Sequence, residues 1–256
     1  MLHIDQMAYC SKLRKENASL KVCFAIAMLF IAIAFPSIAG GIVLTGFMGI
    51  VTVRIGGVAL RQYFHYLCVP ASFIALSVLA IIVHISRTPV SDYAVSIGGL
   101  YLSTGREELL EGLSLCGTAL SGVSCMYFMA FTTPFTDLIQ VLNQFHCPSL
   151  FIELLMLTYR FLFILLEIGR QLVISGKSRL GNRTLKTAVR TSGAVFSVLF
   201  LRAFNKASIL YDAMESRCYD GKIQVIYEEA PLEKKKVILA AGIVIIFGGT
   251  MVKIRG

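Results

Sequence analysis

Long apolar stretches organise the first half of the chain. Three of them contain no Asp, Glu, Lys or Arg: residues 22–53, 62–86 and 112–136. A helix needs about 20 apolar residues to cross the roughly 30 Å hydrocarbon core of a bilayer, so each stretch is long enough. The first would be about 48 Å long as one helix, but Pro36, Gly40 and Gly41 interrupt it. The pattern therefore predicts two helices there, over about 20–35 and 41–55. The first half of the chain thus contains four predicted membrane spans.

The second half of the chain begins with a long helix of mixed character. Glu153, Arg160 and Glu167 recur every seven residues, which predicts one thin polar stripe along a helix from 149 to about 178. A helix of this kind can span within a bundle, or it can lie at the membrane interface and run into the cytoplasm. The pattern alone leaves both positions open.

Two further helices complete the predicted second half. One runs from about 187 to 218, begins with polar residues and is most apolar between Ala194 and Leu201. The other is a final apolar helix over 237–252, which follows a charged linker. Because either 149–170 or 191–203 can cross or stay at the surface, we predict five or six transmembrane helices.

A polar interval separates the third predicted span from the fourth. Within it, the sequence A-V-S-I-G-G-L-Y-L-S-T places alternating apolar residues on both sides of Gly98 and Gly99. This arrangement is typical of a small β-hairpin. We expect the hairpin to lie on the external side of the membrane.

Composition and charge indicate which side of the membrane the chain begins on. Apolar residues make up 56% of the sequence and charged residues 15%, against about 25% charged residues in soluble domains. Lys12, Arg14, Lys15 and Lys21 precede the first apolar stretch, and positive residues of this kind mark the cytoplasmic side. In such a chain the net charge of +9 favours anionic lipid rather than nucleic acid as the partner. We therefore predict a multi-pass protein of the plasma (inner) membrane with a cytoplasmic N-terminus.

These patterns divide the chain into three regions. Residues 1–136 form a membrane domain with four spans, 137–222 carry two arginine-ended helices, and 223–256 form a linker and a C-terminal transmembrane helix. The predicted fold class is an all-α integral membrane protein, with amphipathic cytoplasmic helices in its second region.

The sequence contains no recognisable catalytic or metal-binding constellation. Its seven cysteines include no C-x-x-C pair, so neither a disulfide framework nor a zinc site is supported. The four predicted spans contain no carboxylate that could relay protons. We therefore expect a non-catalytic chain without a metal or cofactor of its own. Two alternatives stay open: a membrane enzyme with a site built from His65, His84 or His146, and a self-sufficient channel or secondary carrier.

Two predicted helix ends each carry an arginine that is soon followed by glycine. Arg179 precedes Gly181, and Arg217 precedes Gly221. One interpretation is capping, because a cation near a helix C-terminus gains about 0.3–1 kcal/mol from the helix dipole and glycine often forms the cap. The other is docking, because the guanidinium is a rigid, bidentate donor suited to carboxylates on a partner protein. Two such ends would suit two copies of one partner.

Several segments together carry a family resemblance. Residues 4–21, 132–142 and 148–167 resemble the transmembrane T component of energy-coupling factor (ECF) transporters, in the cobalt branch usually called CbiQ. The family's two X-R-X signatures match two tripeptides: Ser178, Arg179 and Leu180, and Ser216, Arg217 and Cys218. The second signature is often A-R-G in the family, so this chain departs from it on both sides of the arginine. The resemblance covers nearly the whole chain.

The resemblance implies a scaffold subunit. In this family, membrane helices hold a substrate-binding membrane subunit, which in the cobalt branch binds the metal. Cytoplasmic coupling helices end in the two arginines, and each arginine docks one of two ATP-binding cassette subunits, which bind the ATP. The resemblance thus implies an ATP-driven cobalt uptake system, with the same scaffold role in a nickel or vitamin system as the alternative.

Overall fold

The computed structural model describes residues 3–82, 84–86, 93–97, 100–104, 106–221, 223 and 233–255. Nine α-helices and three short strands follow one another along these ranges: α1 (His3–Cys10), α2 (Ala18–Ala34), α3 (Ile38–Ile50, continued by a wider helical turn over Val51–Ile55), α4 (Leu60–Ile82), β1 (His84–Ser86), β2 (Tyr93–Ile97), β3 (Leu100–Thr104), α5 (Arg106–Thr132), α6 (Phe135–Gln144), α7 (Ser149–Ser178), α8 (Leu185–Glu215) and α9 (Lys234–Arg255). A short 3-10 turn, Lys12–Lys15, joins α1 to α2. The helical prediction is confirmed.

The chain forms two compact units. Residues 139–227 make up one, which we call the paired-helix unit because it contains α7 and α8. Residues 2–138 together with 228–256 make up the other, which we call the bundle unit. Six helices of the described chain are long and apolar enough to cross a membrane, namely α3 with its extension, α4, α5, α7, α8 and α9. The prediction of an integral membrane protein is confirmed, and α2 is a shorter apolar helix of 17 residues.

The bundle unit is held together by close crossings of small residues. The predicted break at Pro36 is present, since α2 ends at Ala34 and α3 starts at Ile38. A Cβ atom added to Gly41 of α3 would overlap the backbone of Gly117 in α5. Ser121 and Ser124 of α5 are fully buried. Small side chains on α3 and α5 therefore let the two helix backbones approach closely.

Apolar side chains from α2, α3, α5 and α9 meet in the middle of the bundle unit. Met28, Leu44 and Met48 are fully buried there, and Met251 of α9 joins them. The rings of α2 and α5 meet edge to face, with the centroids of Phe24 and Phe128 5.8 Å apart. The last helix is therefore part of the bundle rather than an appendage.

Polar contacts fix which helix ends lie together in the bundle unit. Lys21, near the start of α2, donates to the carbonyl of Thr132 at the end of α5, at 3.2 Å. Lys236, near the start of α9, lies 2.6 Å from Oε1 of Glu16, just before α2. The chain therefore leaves α5 and enters α9 at the same edge of this bundle.

The predicted hairpin is present. β2 and β3 pair antiparallel with Ile97 opposite Leu100, while residues 98 and 99 lie outside the described part of the chain. β1 pairs with the other edge of β3, which gives the strand order β1-β3-β2. The hairpin is thus one part of a three-stranded sheet between α4 and α5.

Candidate docking ends of helices α7 and α8

The two arginine-bearing helices run antiparallel to each other. α7 contains 30 residues and α8 contains 31, so each is about 45 Å long at 1.5 Å per residue. Gly169 approaches Leu199, and nearer the turn Gly176 approaches Thr191, where an added Cβ atom would lie 2.8 Å from the threonine Cγ2. Because the residue numbers rise on α7 as they fall on α8, the pair is antiparallel. Arg179 lies shortly before the first residue of α8 and Arg217 shortly after its last, so the two arginines lie at opposite ends of α8.

The first arginine closes α7 in a well-defined capping motif. Arg179 is the C-cap residue, and Leu180 after it has φ 60°. The amide of Leu180 donates to the carbonyl of Lys177 at 3.0 Å, and the amide of Gly181 donates to that of Gly176 at 2.9 Å. This pair of bonds is the Schellman motif, which satisfies two carbonyls that the helix end leaves without partners.

The second arginine closes α8 in the same way. Cys218 has φ 59°, and its amide donates to the carbonyl of Glu215 at 3.0 Å. The amide of Tyr219 donates to the carbonyl of Met214 at 3.1 Å. Arg217 therefore occupies the same position in its motif as Arg179 does at the end of α7. The two X-R-X tripeptides are alike in backbone structure as well as in sequence.

The predicted role of the glycines is wrong at both ends. The left-handed residue of each cap is Leu180 or Cys218, directly after the arginine, rather than Gly181. Gly221 also has a positive φ of 86°, but it lies three residues beyond Cys218 and outside the cap. The bonding pattern sets this position, since the left-handed residue must carry the amide that bonds back to the second-last helical carbonyl. Gly181 is required for space instead, because an added Cβ atom would lie 2.6 Å from Oγ1 of Thr191. Cys218 thus adopts a left-handed conformation that glycine would adopt without steric cost.

Both arginine side chains are directed to the exterior of the unit. Arg179 and Arg217 are exposed, and within the described residues neither guanidinium group takes part in a hydrogen bond or an ion pair. The flanking Ser178 and Ser216 are also exposed, and their hydroxyls donate to carbonyls of their own helices, both at 3.0 Å. The serines therefore do not compete for a ligand, and each end offers a guanidinium group on a rigid backbone.

A buried carboxylate, which the sequence did not single out for this role, holds the chain after the second arginine. Glu153, in the second turn of α7, is 5% exposed. The hydroxyl of Tyr219 donates to its Oε2 at 2.6 Å, and the amide of Ile223 donates to its Oε1 at 3.2 Å. The hydrogen bond to Glu153, together with partial burial, raises the pKa of Tyr219 above its ordinary value. The phenol therefore stays a donor at neutral pH.

The three residues of the predicted polar stripe on α7 differ in burial. Glu167 is exposed and lies 2.9 Å from Nη2 of Arg170, a surface ion pair, whereas Glu153 is buried. Arg160 is exposed. The signal that distinguishes Glu153 in the sequence is its position between Ile152 and Leu154, with no basic residue within one helical turn. Such a carboxylate needs hydrogen-bond donors from elsewhere when it is buried.

The described residues contain no group of three or more His, Cys, Asp or Glu side chains that could hold a metal ion. What the structure does place together are long apolar helices and exposed basic helix ends, which define a multi-pass membrane protein. Residues 11–227 match the family model described as CbiQ, cobalt transport protein. The chain belongs to the CbiQ family of cobalt transport proteins.

Similar proteins extend this match. An uncharacterized protein of Methanocaldococcus jannaschii is 32% identical over 223 residues, or 87% of this chain and 82% of that protein. A putative fused cobalt transport protein CbiMQ of Methanocorpusculum labreanum is 31% identical over 252 residues, or 96% of this chain and 41% of the fused protein. This chain thus spans less than half of the fused relative. The nickel permease LarQ of Lactiplantibacillus plantarum is 34% identical over 106 residues, or 41% of this chain and 37% of the permease.

Proposed function

We propose that this chain is the transmembrane scaffold subunit of an ATP-driven, ECF-type cobalt uptake transporter. Its coupling helices are α7 and α8, and each of its two X-R-X ends docks one ATP-binding cassette subunit. The observation that supports the proposal most is the equivalence of the two ends: Arg179 and Arg217 occupy the same position of the same capping motif, and both are exposed. Capping alone gives no reason for two free guanidinium groups in matching geometry.

Arginine suits this role because of what it presents to a partner. The guanidinium is planar and permanently charged, and it can bind one carboxylate through two parallel hydrogen bonds. The Schellman motif fixes the backbone on both sides of each arginine, so less conformational entropy is lost when the partner binds. Closure of the two ATPase subunits on ATP would then move the coupling helices and reorient a substrate-binding membrane subunit beside them.

The proposal requires α7 and α8 to lie along the membrane surface. Because Arg179 and Arg217 lie at opposite ends of the roughly 45 Å α8, an α8 that crossed the bilayer would place them on opposite sides. If α5 and α9 both cross, the residues between them cross an even number of times, because α5 ends and α9 begins at the same edge of the bundle unit. In that case α7 and α8 either both cross or both stay on one side. If both stay on the cytoplasmic side, both arginines can reach ATPases there. The bundle then crosses five times, through α2, α3, α4, α5 and α9.

The proposed cargo is cobalt, with nickel or a vitamin as the alternative. Cobalt is favoured by the family and by the fused CbiMQ relative, and nickel is favoured by the partial match to LarQ. We propose that the metal is bound by the substrate-binding subunit and that ATP is bound by the ATPase subunits, which leaves this chain a non-catalytic coupling role. Uptake assays with labelled Co²⁺ and Ni²⁺ in parallel distinguish the two metals.

The experiment that tests the proposal compares two pairs of substitutions with the same change in charge. Arg179→Ala with Arg217→Ala should leave the protein inserted in the membrane but abolish co-purification of the ATPase subunits and metal uptake. Arg160→Ala with Arg202→Ala removes two exposed arginines that lie away from both helix ends, and it should leave co-purification and uptake intact. Normal co-purification and uptake by the first pair would show that the arginines act as caps only.

A lysine pair separates charge from geometry. Arg179→Lys with Arg217→Lys keeps both positive charges but cannot form the bidentate bonds. Co-purification of the ATPase subunits should therefore weaken clearly, although less than in the alanine pair. Full docking by the lysine pair would show that charge alone is recognised.

A further inference from the structure

Glu153 links two parts of the paired-helix unit that are distant in sequence. It lies 66 residues from Tyr219 and 70 from Ile223, and it accepts a hydrogen bond from each. The residue is 5% exposed, so water does not replace these donors freely. A buried carboxylate that loses its donors is costly, because the unpaired charge stays in a poorly solvated site.

Tyr219 joins this link to the helix end that carries Arg217. Its backbone amide closes the capping motif through the carbonyl of Met214 at 3.1 Å. Its hydroxyl reaches Glu153 at 2.6 Å. One residue therefore both ends α8 and ties that end to the start of α7. Arg217 is two residues away, so its backbone position relative to α7 depends on the same bond.

We propose that Glu153 is a positioning residue for docking at Arg217. The Glu153–Tyr219 bond, with the Ile223 amide as its second donor, acts as a latch that fixes the end of α8 against the start of α7. A partner that pushes on Arg217 then moves both helices as one body. This inference rests on the proposed docking function, and it assigns the latch to Arg217 alone, since the Arg179 end lies at the turn between the helices.

A purely structural role for Glu153 makes a different prediction. Loss of a buried hydrogen-bonded carboxylate can destabilise the whole unit, which would weaken docking at both arginines alike. If Glu153 acts as a latch, its loss should weaken docking only where Arg217 is the remaining contact. To distinguish the latch from a purely structural role, substitutions of Glu153 or Tyr219 are combined with Arg179→Ala or Arg217→Ala. Such a double-mutant cycle isolates the interaction between two positions.

Three variants probe the latch in the full-length chain. Tyr219→Phe removes one hydrogen bond and keeps the ring. Glu153→Gln keeps the shape of the side chain but replaces one acceptor oxygen by a donor. Glu167→Gln is the matched control, because it makes the same change on the same helix at an exposed ion pair of little energetic weight.

The first measurement is co-purification of the ATPase subunits in two backgrounds. With Arg179→Ala, only the Arg217 end is left, and we expect Tyr219→Phe or Glu153→Gln to weaken the remaining binding about tenfold, the scale of one hydrogen bond to a charged group. With Arg217→Ala, the same variants should change binding less than about twofold. Equal losses in both backgrounds, or no loss in either, would overturn the latch.

The second measurement does not depend on the ATPase subunits. A spin label on Cys218, which is exposed, reports motion of the helix end in a chain whose other six cysteines are replaced. Its mobility should rise in Tyr219→Phe and Glu153→Gln and stay unchanged in Glu167→Gln. Unchanged mobility in the first two overturns the latch itself. If mobility rises in these variants but the double arginine variant still binds the ATPase subunits, the latch is present and the proposed docking function is wrong. Failure of the latch and failure of the proposed function are therefore distinguishable.

Discussion

The two arginine ends share one backbone motif but are supported in different ways. The Arg179 end lies at the turn between α7 and α8, where Oγ1 of Thr191 donates to the carbonyl of Gly181 at 3.1 Å. Its partners are therefore at most a dozen residues away. The Arg217 end is held by Glu153, which belongs to the far end of the other helix. One end is a local structure, and the other depends on the whole helix pair.

Their electrostatic surroundings differ as well. Lys177 and Arg183 flank Arg179, whereas Glu215 and Asp220 flank Arg217. A partner carboxylate therefore meets a wholly basic surface at the first end and a mixed one at the second. Identical capping motifs therefore do not make the two ends interchangeable. Two copies of one partner could bind with unequal strength and unequal sensitivity to salt.

The largest expected effect separates the two ends directly. Arg179→Ala or Arg217→Ala alone should each remove one of two ATPase copies from the purified complex, because each arginine is proposed to dock one copy. Subunit stoichiometry by native mass spectrometry measures this. The residual complex of Arg217→Ala should be the more salt-sensitive, since its remaining end is the basic one. Complexes that keep both copies in either variant would contradict the comparison.

A smaller effect is expected where the Arg179 end needs space. Gly181→Ala places a methyl group against Thr191 and the carbonyl of Gly176 and should destabilise the unit by about 1–3 kcal/mol, the usual range for overpacking. Gly193→Ala is the control, because a Cβ atom there meets nothing within 4 Å. The control should be neutral or stabilising, since alanine favours a helix over glycine by about 0.5–1 kcal/mol. Thermal unfolding of the purified proteins provides the comparison, and equal midpoints would contradict the steric argument.

The smallest effect tests what the two ends have in common. Leu180 is 69% exposed, and Cys218 is also exposed, so replacing either by glycine removes little packing. Leu180→Gly and Cys218→Gly should each leave stability unchanged or raise it by up to about 1 kcal/mol, because glycine adopts the left-handed conformation without steric cost. Denaturation midpoints should therefore not fall in either variant. A clear loss of stability at one end alone would show that the motifs are not equivalent.

Local sequence pattern predicted most of the helical structure. The helix predicted from 149 to about 178 is α7 (Ser149–Ser178), and the hairpin around Gly98 and Gly99 has its two strands in place. Both depend on periodicity and turn residues within a few positions, which sequence carries directly. The second arginine helix ends at Glu215 rather than near 218, because the residues after it belong to the capping motif.

The parts that sequence did not predict depend on contacts between distant residues or on bonding geometry. Tyr219 and Glu153 meet only because α7 and α8 fold back on each other, so no local pattern joins them. The sequence pattern favours Gly181 for the left-handed cap position, because glycine is the commonest residue there. In the structure, Leu180 adopts that conformation. The tight approach of Thr191 explains the glycine instead. The positions of Arg179 and Arg217 at helix ends could be predicted because each follows a long helical pattern, and their docking role stays a prediction.

The most direct test of the proposed scaffold function is to determine on which side of the membrane the two arginine ends lie. In a chain without the other cysteines, Cys218 and a cysteine introduced by Arg183→Cys serve as single labelling sites, and Lys253→Cys at the end of α9 marks the opposite side. A membrane-impermeant maleimide should label the first two only in inverted vesicles and the third only in right-side-out vesicles. Labelling of Cys218 and position 183 from opposite sides would mean that α8 crosses the membrane, and the scaffold proposal would be wrong.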